Sequence, residues 1–146
     1  MNNMDNETVS LKATYLQMIQ GSIDRMSTTS AVFKGFCATI VAGISAISFA
    51  EIDKWVLLLA IAPVFCFFIL DIYYLQLEKR FRALFNMVRT GLHEVDFDLT
   101  PPKAKTLKCE EACIWYCIKS PSIFLFYLPL ALIAATIIIM KFKEVM

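Results

Sequence analysis

The chain of 146 residues contains a single histidine, His93. It has no glycine loop of the kind that cradles phosphate, no nucleophile–base–acid set and no histidine pair spaced to hold a metal. General acid–base catalysis draws on histidine more than on any other side chain. The sequence therefore points away from an enzyme: no catalytic residue is assigned, and no cofactor or metal is expected. Cysteine is sparse and odd in number, five in all, with Cys37 and Cys66 inside apolar stretches. No disulfide framework follows, and reduced thiols in a protein facing a cytosol are the simpler reading. Cys109, Cys113 and Cys117 share one helix face, but zinc favours closer cysteine pairs and His93 would be the only fourth donor of its type. Net charge is only +1, so no basic excess argues for nucleic acid, and none is expected as a partner. The first 30 residues lack the apolar core of a signal peptide, so no cleaved leader is expected.

What the chain does have is apolar residues, 58% of the total, with only 4 Gly and 5 Pro. Soluble domains run at about 45–50% apolar. The excess lies in blocks, which is the membrane pattern. Gly35 to Ala50 is uncharged between Lys34 and Glu51, and Trp55 to Leu70 is uncharged between Lys54 and Asp71; each run is 16 residues. As a helix, each covers roughly 24 Å at about 1.5 Å per residue, just short of the ~30 Å hydrocarbon core. Only Glu51-Ile52-Asp53-Lys54 separates them. They read as an antiparallel membrane hairpin, which puts Lys34 and Asp71 at the same depth on the same side. A third run, Ser120 to Met140, has 21 residues without a charge and is long enough to span. Ser120 suits an N-cap and Pro121 the first helical turn, while Pro129 predicts a kink.

Basic residues give the orientation. Residues 1–34 hold three Lys or Arg, the 51–54 turn one, residues 71–119 eight and the C-terminal tail two. The positive-inside bias places the N-terminus and the middle segment in the cytosol and the turn outside. Three spans then put the C-terminus outside, against the weak counter-signal of Lys141 and Lys143; a re-entrant third segment is the alternative. Trp55 and the Tyr73-Tyr74 pair fit aromatic belts at the two boundaries.

Outside the apolar runs, residues 5–26 predict an amphipathic helix. Leu11, Tyr15, Met18, Ile19, Ser22 and Met26 fall near one stripe. It either packs on the chain's own middle segment or lies on the membrane, though it lacks the Lys/Arg-rich face of membrane-surface helices. The second span should continue as helix to Thr90, with Leu77, Phe81, Leu84, Phe85 and Val88 extending a stripe and Gly91 as the stop. Glu78 and Arg82 form an i,i+4 pair in the better order. Residues 91–105 read as an extended linker, despite the strand-like alternation of Val95, Phe97 and Leu99. Thr106 to Lys119 reads as a short helix ended before Pro121. The domain organisation is thus a cytosolic helix (1–30), a transmembrane hairpin (31–75), a cytosolic extension with linker and short helix (76–120), and a third span with its tail (121–146).

Three groups of residues stand out. Small residues recur every four along the first span, at Ala38, Ala42, Ala46 and Ala50, and beside them run Gly35, Thr39 and Gly43. Helices in lipid associate through close backbone approach, which small residues permit. One stripe is enough to pack against the second span, leaving the other for a neighbouring subunit or the third span. Homo-oligomerisation is therefore expected. Lys34 and Asp71 predict either a salt bridge closing the hairpin base or a charged ring lining a pore. Lys79, Arg80 and Arg82 lie just past the boundary and predict contact with anionic headgroups, at about 1 kcal/mol each.

Two stretches carry a resemblance. Ala31-Val32-Phe33-Lys34-Gly35-Phe36-Cys37-Ala38-Thr39-Ile40-Val41-Ala42 gives a Lys-Gly-aromatic entry to the first span. Asp71-Ile72-Tyr73-Tyr74-Leu75-Gln76-Leu77-Glu78-Lys79-Arg80-Phe81-Arg82-Ala83-Leu84-Phe85 gives a Tyr-Leu-x-x-Glu-Lys exit from the second. Over roughly residues 25–90 the chain resembles the SLATT class, small bacterial two-span effectors associated with nucleotide second-messenger systems. The resemblance implies a membrane effector of a bacterial defence or conflict system, which assembles and permeabilises the inner membrane. The third span departs from that class.

The expectation is an all-α membrane protein of the bacterial inner membrane. It has three transmembrane helices and a cytosolic N-terminus; the lipid bilayer and further copies of itself are its partners. Its expected function is to oligomerise and perturb membrane permeability. A passive adaptor that recruits a cytosolic partner protein through residues 75–120, and a small ion transporter that depends on Asp71, are the alternatives.

Overall fold

The computed structural model describes residues 2–47, 61–103 and 114–144. Helix is the only regular secondary structure among the described residues. The order is α1 (Asn2–Ile47), α2 (Ala62–Arg89), α3 (Ile114–Ile118) and α4 (Pro121–Glu144). The hairpin turn at 51–54, Trp55, Ala50, Cys109 and Cys113 fall outside the described residues.

α1 is 46 residues long, roughly 69 Å at about 1.5 Å per residue. The helix expected over 5–26 and the first apolar run are thus one uninterrupted element. The reason is local. No proline precedes Pro63, and an isolated helical glycine such as Gly21 costs only ~1 kcal/mol, too little to break a helix held by packing. Pro63 is the second residue of α2, within the first turn, where a missing N–H costs nothing.

α2 ends where Gly91 was expected to end it. The Leu92 N–H donates to the Met87 carbonyl at 2.9 Å and the Gly91 N–H to the Val88 carbonyl at 3.2 Å. This pair of bonds is the Schellman closure, with Gly91 as the left-handed residue at φ 76°. At α4, the Ser120 carbonyl accepts the N–H groups of Ile123 and Phe124, each at 3.0 Å. Pro121 opens the helix as expected, and the helix runs on through Pro129.

The chain divides into two compact units, Met1–Thr29 with Tyr74–Cys117, and Ser30–Tyr73 with Ile118–Met146. In the first, Tyr15, Ile19, Ile23 and Met26 of α1 pack on Phe81, Leu84 and Val88 of α2. Three- and four-residue steps keep each set on one face. Ile23 takes a place in this seam, while Leu11 and Met18, assigned to the same stripe, point outward. Burial of each large apolar side chain stabilises by about 1.5–3 kcal/mol. Residues 94–103 form no regular structure, and Leu99 from this strap packs against the seam.

Among the described residues of the second unit, the buried apolar side chains are Cys37 and Val41 of α1, Ile72 of α2, and Ile123 and Tyr127 of α4. Aromatic rings add contacts, Phe33–Phe67 at 5.7 Å and Phe68–Tyr127 at 5.0 Å between centroids. Phe65, Ile69, Leu125, Leu132 and Ile139 remain more than half exposed. Two helical stretches, Asn6–Ala46 and Pro121–Met140, are long and apolar enough to cross a membrane.

Candidate functional site: a buried polar clasp

Ser30 and Lys34 are one turn apart on α1, and Cys37 follows three residues later, so all three face the same way. Asp71 of α2 meets this face and has no exposed surface. A carboxylate so placed must be paired and hydrogen-bonded to be tolerated. The Ser30 hydroxyl donates to Asp71 Oδ1. The Lys34 ammonium lies 2.8 Å from Oδ2. It also donates to Ser30 Oγ at 2.8 Å, closing a three-membered ring of contacts.

α4 supplies the remaining member. The Tyr127 hydroxyl lies 3.9 Å from Cys37 Sγ and near the Asp71 carboxylate. Its ring is held edge-on by Phe68, and Phe126 meets it at 5.1 Å. The clasp therefore joins α1, α2 and α4. One positive and one negative charge cancel, and hydroxyls satisfy what remains. Chemically it can fix helix register. It contains no aligned nucleophile and base.

Sequence reasoning named Lys34 and Asp71, and the fold brings them together. It missed Ser30, although Ser30 stands four residues before Lys34, and it missed Tyr127, which pairs with Cys37 across 90 positions of sequence. The small residues have a different fate. Gly35, Ala38, Thr39, Ala42, Gly43 and Ala46 are all exposed, and a Cβ added at Gly35 or Gly43 would meet nothing within 4 Å. Neither stripe packs on another described helix; α1 turns Cys37 and Val41 inward instead. Among the three basic residues, Arg80 donates to the carbonyls of Pro101 and Pro102 at 3.1 and 2.9 Å. Arg82 pairs with Glu78 at 2.6 Å, and Lys79 is half-buried.

A second polar knot ties the strap of the first unit. The Tyr15 hydroxyl donates to the Asp98 carbonyl and lies 3.1 Å from Asp96 Oδ1. Burial, then the Asp96 hydrogen bond and the nearby carboxylates, pushes the phenol up to about 12. Asp96 is held below the usual carboxylate range, chiefly because it accepts the Asp98 N–H at 3.0 Å. Between them Phe97 sits at φ 57°, in left-handed backbone, with its ring 5.4 Å from that of Tyr15.

No protein-family model, curated protein or solved structure matches the chain.

Proposed function

We propose that the chain is a membrane protein that assembles through the outer face of α1 and perturbs the permeability of the bacterial inner membrane when triggered from the cytosol. The observation that carries this reading is exposed apolar surface. In the most apolar 18-residue windows of α1 and α4 only 17% and 11% of residues are buried. A soluble core helix buries most of such a window, whereas lipid takes the place of protein around a spanning one. The run from Trp55 to Leu70 completes three spans, with the N-terminus on the cytosolic side. The unused small-residue face offers the close backbone approach that helix association in lipid requires. The resemblance over residues 25–90 supports an effector of a defence or conflict system.

The test is membrane potential and growth when the chain is expressed in bacteria, alone and with neighbouring genes. Depolarisation and arrest are expected; normal potential and growth in both cases, with the protein present in the membrane fraction, would sink the reading. A passive adaptor is favoured by one observation, the outward-facing Leu92 just before the strap, at 78% exposure. A stoichiometric protein partner in a pull-down, with no conductance in liposomes, selects that alternative. A small transporter requires Asp71, and intact function in Asp71→Asn removes it.

A further inference from the structure

α3 is only five residues long, and its surface is unusual for a connector. Ile114 is 52% exposed, Trp115 69% and Tyr116 48%, while Cys117 on the other side is fully buried. An exposed tryptophan beside an exposed tyrosine is costly in bulk water. The same pair is favoured where an apolar ring body meets lipid and its polar edge meets headgroups and water. The covalent chain narrows the choice of environment. Lys119 and Ser120 alone separate α3 from α4, whose first 20 residues are apolar enough to span. The chain between Trp115 and Pro121 reaches at most about 15 Å, from three helical steps and three extended ones. An exposed cation, Lys119, completes the surface, and its charge matches anionic headgroups.

We infer that α3 is an interfacial anchor, with Trp115, Tyr116 and Ile114 seated in the headgroup layer of the bilayer that α4 crosses. The inference rests on the membrane reading above and adds a second, non-spanning attachment to it. It gives the 24-residue α4 a fixed depth. Trp115 resists deeper insertion by its indole N–H and resists withdrawal by its ring area.

The chain has two tryptophans, so Trp55→Phe leaves Trp115 as the sole indole fluorophore. The full chain carrying that change is reconstituted in phosphatidylcholine–phosphatidylglycerol vesicles with bromine either near the headgroup or near the chain end. Emission should be lost mainly to the shallow bromines and shielded from aqueous iodide. Should Trp55→Phe fail to fold, the Trp115→Phe protein is subtracted from the unaltered protein to give the same signal. Quenching by iodide alone, quenching mainly by deep bromines, or no quenching by either would each overturn the anchor. An alkaline carbonate wash separates the two readings. Protein lost from the vesicles removes the membrane reading and the anchor together. Protein retained, with Trp115 open to iodide, removes only the anchor.

Discussion

A carboxylate without exposed surface depends on its counter-charge, and Asp71 has Lys34. The two partners are not equivalent. Lys34 keeps 18% of its side chain exposed and Asp71 none, so only the lysine can find water when left alone. Lys34→Met should therefore cost about 3–5 kcal/mol, the cost of stranding a buried charge. Asp71→Asn should cost clearly less, and the double variant less than Lys34→Met alone. Unfolding in mild detergent checks this; equal losses for the two single variants would contradict it. Tyr15 makes the other residue-scale prediction. Its phenol titrates near 12 against an ordinary value of 10.0, so the folded state holds the proton more tightly. The contribution is complete below pH 10 and fades as pH rises toward 12. Asp96, held low, works in the opposite direction: its contribution is present above the usual carboxylate pKa and is lost as the medium becomes acid enough to protonate the folded group. Tyr15→Phe should cost about 1 kcal/mol and abolish the alkaline loss. An alkaline loss unchanged in Tyr15→Phe would place its origin elsewhere.

At the scale of elements, the helix ends show how much local chemistry decides. Gly91 was legible as a stop because a left-handed residue closes a helix at little cost only when it lacks a Cβ. Nothing would touch a Cβ added there, so Gly91→Ala isolates the backbone term. It should lower stability by about 1 kcal/mol without altering packing, as chemical unfolding can measure. Ser120 and Pro121 were legible for the same kind of reason. The seam of Tyr15, Ile19 and Met26 against Phe81, Leu84 and Val88 could be read on each helix from spacing alone. That the two stripes would meet was one of two readings of the 5–26 helix, the other being the membrane surface; spacing alone did not choose between them, because periodicity marks a face and never names its partner. The continuity of α1 was missed for a related reason: a change from amphipathic to wholly apolar composition looks like a boundary, although backbone hydrogen bonding is indifferent to it. The strap was legible as an extended linker, but its fixed path was not, because Phe97 takes a conformation that asparagine or glycine normally signals. A single side chain holds it, Tyr15, which reaches Asp96 and Asp98 across 81 and 83 positions of sequence.

The molecule as a whole raises the question of what its outer α1 face is for. Gly35 and Gly43 have open space around them. In an isolated chain, Gly43→Ala should be neutral or raise helix stability by up to ~1 kcal/mol. A larger residue at Ala42 or Gly43 should likewise leave the monomer's unfolding unchanged. If α1 packs on a second copy, Ala42→Leu and Gly43→Leu should instead shift native mass in mild detergent from assembly to monomer and abolish depolarisation. Unaltered native mass in both variants would assign this face to lipid. The clasp was half legible at this scale. Opposite charges at the ends of two equal apolar runs betray Lys34 and Asp71, whereas Tyr127 lies in a third apolar run where a tyrosine is unremarkable until its neighbours are known.

The placement of Cys37 turns the clasp into its own clock. The thiol is fully buried, beside the Tyr127 hydroxyl, and buried cysteines do not react until a local opening exposes them. In a chain whose other four cysteines are serine, the alkylation rate of Cys37 by a membrane-permeant reagent counts how often α4 lifts from α1. On the function proposed above, a trigger that loosens the clasp would quicken that count before any current flows.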